Sequence, residues 1–149
     1  MVRCDRVLAS DRIDTLERQS IEHGTGLLLP LEIIDSLVGA PTAHTTARTH
    51  ALSVRAATVF FAHFGIEWNL AAATGLELDA LRSWIELYEA HRPLLHTGQE
   101  VLADQGDPAL RTRGAVPISA DEAVFAVVQS TEAWRHPPAR SDCLDSGRM

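Results

Sequence analysis

The chain has 149 residues, a length that suits one compact domain, and 46% of them are apolar, which excludes wholesale disorder. A net charge of −7 excludes a nucleic-acid partner, which needs clustered cations to replace condensed counterions. No apolar run approaches the length that crosses a bilayer, and no apolar stretch follows the charged amino terminus as in a signal peptide. A soluble, cytoplasmic protein with no membrane partner is therefore expected.

The first helix is predicted over residues 12–23, where Ile13, Leu16 and Ile21 fall close to helical spacing. Asp11 or Ser10 can cap its start, and Gly24 is placed to end it. Residues 25–29 then read as a short buried strand stopped by Pro30. Residues 32–47 hold Gly39 and Pro41 in an irregular pattern and read as a loop, of the long kind that often carries function.

A second helix is predicted over residues 51–64. Leu52, Val54, Val59, Phe60, Phe61 and Phe64 make it apolar on nearly every side, as in a helix buried between other elements. Gly65 ends it, and residues 66–70 give another short strand. The third helix opens on a Thr-x-x-Glu capping box at Thr74 and Glu77. Leu78, Leu81, Trp84, Ile85 and Tyr88 form its apolar stripe. His91 and Arg92 complement the carboxyl end of its dipole, and Pro93 closes it.

Beyond that helix the period changes. Residues 100–103 and 123–129 read as strands, with turn residues at 104–108 and 119–122. Residues 135–149 are polar, carry two adjacent prolines and read as a loose tail. Alternating helices and strands followed by strands alone imply a parallel α/β part and then an all-β region. Neither part closes a domain by itself, and open strand edges invite association.

The opening segment VLASDRIDTLERQSIEHGTGLLLP carries Ser10, Asp11 and Asp14, then Glu17 and Arg18, then Pro30. Val38 with Gly39, Thr46 with Arg48, residues 64–69 and the Leu-His-Thr-Gly at residues 95–98 follow in order. In order and spacing these resemble the late barrel region of family-36 glycoside hydrolases, the melibiase-type α-galactosidases. The corresponding family patterns are Trp-x-Ser-Asp-x-x-Asp, Thr-Gly-Arg and Phe-Gly-x-Glu-Trp-Asp, and the match covers about residues 7–129.

The resemblance implies a partial (β/α)8 barrel remnant over residues 1–96, the start of a carboxy-terminal β domain over 97–134, and a tail over 135–149. It implies that Asp11 is the general acid/base of a retaining hydrolase, whose second carboxylate lies roughly 5–5.5 Å away and attacks the sugar. Such an acid needs a pKa near working pH. The local residues alone equally allow Asp11 to be a plain helix cap. Ser10, Asp14 and Arg18 are candidates for binding the substrate or orienting the site, while Asp14 and Arg18 also suit an i,i+4 surface ion pair.

Four positions depart from the family pattern. Leu8 replaces an aromatic, Ile13 replaces a small or polar residue, Asn69 replaces an acid, and Ala47 replaces the glycine of Thr-Gly-Arg. Ala47 is expected to strain a backbone position at which glycine takes positive φ. Nothing before Asp11 reads as the first barrel strands, the nucleophile or a Gly-rich sugar loop. A piece of a barrel, inactive by itself, is therefore expected.

The remaining candidates suggest no cofactor. His44, His50 and His63 lack the spacing and companions of a metal site, and Cys4 and Cys143 are expected to be unpaired thiols. Trp68 is either core or a stacking surface for sugar. Besides an α-galactosidase acting on α-galactosides, two other readings stand. One is a non-catalytic module packed against a partner, either a homo-oligomer or a complementary barrel fragment. The other is a degenerate gene product.

Overall fold

The computed structural model describes residues 5–103, 106–107 and 109–130. Cys4, Trp134, Cys143 and the expected tail lie outside these residues. The chain runs β1 (Val7–Leu8), α1 (Thr15–Gly26), β2 (Ile34–Gly39), α2 (Leu52–Val59), β3 (His63–Glu67) and α3 (Gly75–Thr97). Three further strands follow: β4 (Gln99–Ala103), β5 (Leu110–Val116) and β6 (Val124–Gln129). The first three strands form a parallel sheet in the order β1-β2-β3, and the last three an antiparallel sheet in the order β4-β5-β6. The expected class, α/β with a short antiparallel segment after it, is what the chain forms.

Several boundaries differ from the sequence reading, each for a physical reason. α1 starts at Thr15 because Asp14, not Ser10 or Asp11, is its cap. The Asp14 backbone is extended, and its Oδ1 accepts from the amides of Leu16 and Glu17, each at 3.1 Å. The helix runs past Gly24 to Gly26. The strand expected over residues 25–29 does not form; Leu27 and Leu28 are 67% and 83% exposed, so that apolar run is no buried strand.

The strand lies instead in the stretch that reads as a loop. Ile34, Ser36, Val38 and Gly39 of β2 are buried, and the polar Asp35 and Ser36 hide the pattern from a periodicity search. α2 stops at Val59, and Phe60, Phe61 and Ala62 make a buried turn that leads Phe64 and Gly65 into β3. α3 does not end at Pro93. It continues to Thr97, because Leu94 and Leu95 are buried in the core and their packing offsets the amide that proline lacks. The basic residue of its last turn is therefore His96.

The core joins both sheets. Leu31, Ile34, Phe60, Phe61, Tyr88, Leu94 and Leu95 cluster with Ala115 of β5, and Trp84, Val124 and Ala126 pack against them. Phe60 meets Phe61, Trp84 and Tyr88 edge-on, with centroids 5.6, 6.0 and 6.1 Å away. The stripe expected on α3 is thus the one it buries.

The inward face of α1 is polar, since Thr15, Arg18 and Glu22 are buried there. Glu22 accepts from the Ser36 hydroxyl and, at 3.2 Å, from Arg113 of β5, whose Nε also donates to Glu100 of β4 at 2.5 Å. This pair ties the antiparallel sheet to α1. Burial pushes the Glu22 carboxyl up, while Ser36, Arg113 and Arg18 pull against it.

Candidate active site

The carboxyl ends of β1, β2 and β3 lie on one side of the parallel sheet, and the loops that follow them carry most of the side chains singled out above. Asp11 stands exposed on the loop after β1. Its backbone neighbour is gripped from both sides: the Arg12 amide donates to Ser10 Oγ at 3.1 Å, and the Arg12 carbonyl accepts from the Arg18 guanidinium.

Arg18 is 4% exposed and lies beneath this turn. Burial lowers its pKa, and the charges of Glu22, Glu67 and Asp11 oppose that shift. Its Nε has no hydrogen-bond partner among the described residues.

Asp14 is wholly buried. The ion pair with Arg18 allowed by i,i+4 spacing is not what its carboxylate makes. Oδ1 takes the two helix amides, and Oδ2 takes the Thr46 hydroxyl at 2.5 Å and Arg48 Nε at 2.9 Å. Burial raises the Asp14 carboxyl, but Thr46, the Glu17 amide, Arg48 and His50 together outweigh it and hold it below the ordinary carboxylate range.

Ala47, between Thr46 and Arg48, has φ 56, the left-handed conformation that the glycine it replaces would take freely. Gly39, at the end of β2, is needed for contact with the same turn, because a Cβ there would come within 2.8 Å of Ile13 Cβ. Arg55 of α2 donates to the Gly39 carbonyl at 2.6 Å, and its guanidinium stands 4.7 Å from the centre of the Trp68 ring. Trp68 is therefore neither core nor a bare platform; it covers a cation. Asn69 accepts from the Ala71 amide and caps a short 3-10 turn, Leu70–Ala72.

The structure brings together Ser10, Asp11, Asp14 and Arg18. Sequence reading missed the partners that hold them, since Thr46 and Arg48 lie 32 and 34 residues from Asp14. The intact Thr-x-Arg of the family pattern was the available signal. Among the described residues no group of three His, Cys, Asp or Glu side chains is placed to hold a metal, and no helix is long and apolar enough to cross a membrane.

The melibiase family model matches residues 1–98. An α-galactosidase of Escherichia coli is 34% identical over 127 residues, which cover 85% of this chain and 18% of that enzyme. The crystal structure of the Lactobacillus brevis α-galactosidase matches with a TM-score of 0.77 at 26% identity, over 87% of this chain and 18% of the other. A GH36 α-galactosidase variant of Geobacillus stearothermophilus, solved in complex with raffinose, shares the fold with a TM-score of 0.74 at 24% identity, over 79% and 17%. The chain spans under a fifth of the length of these relatives. The family model takes in Ser10, Asp11, Asp14, Arg18, Thr46 and Arg48, and the chain belongs to the melibiase family, that of the family-36 α-galactosidases.

Proposed function

We propose that the chain supplies the acid/base side of a retaining α-galactosidase site, with Asp11 as proton donor and Ser10, Asp14 and Arg18 orienting its turn. The observation that carries this reading is the place of Asp11. It is exposed beyond the carboxyl end of a parallel strand, in a turn whose next peptide is held at both its amide and its carbonyl. A carboxyl held in this way can protonate the leaving oxygen while a second carboxylate attacks, and then deprotonate the water that completes hydrolysis. The raffinose bound to the Geobacillus relative supports a terminal α-galactosyl residue as substrate.

The second carboxylate belongs, on this reading, to barrel strands outside the matched stretch. Residues 1–96 are then part of a (β/α)8 barrel and residues 97–134 begin a β domain, in a cytoplasmic enzyme. Among the described strands β1 and β3 each pair only with β2. Their outer edges suit a complementary barrel segment, or failing that a second copy of the chain.

Hydrolysis of an aryl α-galactoside tests the proposal. The 149-residue chain alone is expected to show no turnover, and the chain joined to the upstream barrel of the Escherichia coli relative is expected to be active. Asp11→Asn in the joined protein is expected to lose activity by on the order of 100-fold or more. Unchanged turnover in that variant sinks the assignment.

A further inference from the structure

The loop between β2 and α2 is built to deliver two side chains to one oxygen. It is closed on itself by the Thr42–Thr49 bridge, by the Ala43 amide on the Arg48 carbonyl at 2.9 Å, and by the His50 amide on the Pro41 carbonyl at 2.9 Å. At its tip Ala47 takes the left-handed conformation that an L side chain disfavours, and Thr46 and Arg48 on either side both reach Asp14 Oδ2. Strain accepted at that point is matched by two hydrogen bonds to a buried charge. Arg48 reaches the same turn by a second route: its NH2 lies 3.6 Å from Glu17 Oε1, and Glu17 Oε2 accepts from Arg12 NH1 at 2.9 Å. Both routes end beside Asp11, one at the cap three residues after it and the other at its immediate neighbour.

We propose that Thr46 and Arg48 are positioning residues of this site: they fix Asp14 and Glu17, and through them the direction in which Asp11 faces. The inference rests on the reading of Asp11 as proton donor. Neither side chain needs to touch substrate for this role, and Thr46 acts only through a carboxylate that is itself wholly buried.

The test uses the 149-residue chain and needs no turnover. The Asp11 side-chain rotamer is followed through its Hα–Hβ couplings, and the exchange of the amides of residues 9–17 by proton NMR, in the parent, Thr46→Val, Thr46→Ser and Arg48→Gln. Thr46→Val changes no formal charge and little volume, so a change in the Asp11 rotamer reports geometry. Amide exchange over residues 9–17 is expected to quicken about tenfold in Thr46→Val and Arg48→Gln, as befits loss of a hydrogen bond to a charged group. The Asp11 rotamer populations are expected to change in both, and Thr46→Ser is expected to keep the parent values of both readouts. Faster exchange with an unchanged Asp11 rotamer makes the loop a merely structural tie and overturns the inference, as does an unchanged exchange pattern. Failure of the underlying reading looks different: it is an Asp11→Asn protein, joined to the upstream barrel, that still hydrolyses the galactoside.

Discussion

Helix α1 buries two carboxylates eight positions apart, and the fold treats them in opposite ways. Asp14 and Glu22 are 0% and 2% exposed, so burial works against the charge of each. Asp14 sits at the amino end, where two helix amides, a hydroxyl and an arginine all donate to it, and its carboxyl is held down. Glu22 lies two turns further along, where no free helix amide reaches it. It has the Ser36 hydroxyl and Arg113, and its carboxyl is pushed up. At Asp14 the donors outweigh burial, and at Glu22 burial outweighs the donors. One carboxylate anchors the candidate site, and the other anchors the second sheet.

The comparison breaks most sharply at Arg113. Arg113→Met leaves Glu22 buried with the Ser36 hydroxyl but without the guanidinium, and also frees Glu100. Removing one partner of a buried pair costs about 3 kcal/mol or more, because the remaining charge stays desolvated. Urea unfolding at neutral pH is expected to show a loss of that size. Adding Glu22→Gln to Arg113→Met should recover most of it. A double variant as unstable as the single one would mean that Arg113 acts through packing near Phe61, 6.0 Å from its guanidinium carbon, rather than through charge.

The sequence shows the parts of this arrangement whose logic is local. The capping box at Thr74 and Glu77, the stripe of α3 and the alternation of helices and strands are all readable from neighbours a few residues apart. The positive φ at Ala47 was legible too, because a family glycine is missing there. What escaped reading depends on long range. β2 looks like a loop because Ser36 is buried to serve Glu22 from 14 residues away. The apolar triplet Leu27, Leu28 and Leu29 looks like a strand but is mostly exposed at a turn. Ile13, Leu16 and Ile21 fall near helical spacing, yet α1 buries Thr15, Arg18 and Glu22, since the partners of the latter two come from other elements. The candidate site follows the same rule: Ser10, Asp11, Asp14 and Arg18 are close in sequence and readable together, while Thr46 and Arg48 act on a carboxylate more than 30 residues away.

Acidity separates the two carboxylates. The Asp14 carboxyl titrates lower folded than unfolded, so its contribution is present above the unfolded value of about 3.9 and is lost as pH falls through the folded value. The Glu22 carboxyl titrates higher when folded. Its share of stability is therefore greatest below about 4.3 and is lost as pH rises towards the folded value. Urea midpoints measured from about pH 3 to 7 should show Asp14→Asn flattening the acid side and Glu22→Gln flattening the decline above it. Two variants with parallel pH profiles would show that the carboxylates titrate alike and that the balance of donors against burial does not differ between them.

The smallest expected effect is at Ala47. An L residue in the left-handed region costs roughly 1–2 kcal/mol relative to glycine, and glycine returns part of that through the greater freedom of its unfolded chain. Ala47→Gly is therefore expected to stabilise the chain by about 0.5–1 kcal/mol, read as a small rise in the urea midpoint. The sign carries the lesson. A gain means that the loop tip is strained and that the bonds of Thr46 and Arg48 to Asp14 hold it there against the preference of alanine. A loss means that the restriction alanine puts on the unfolded chain outweighs the strain of its folded conformation. The contrast with Glu22 would then rest on donors set against burial, with little drawn from strain at the loop tip.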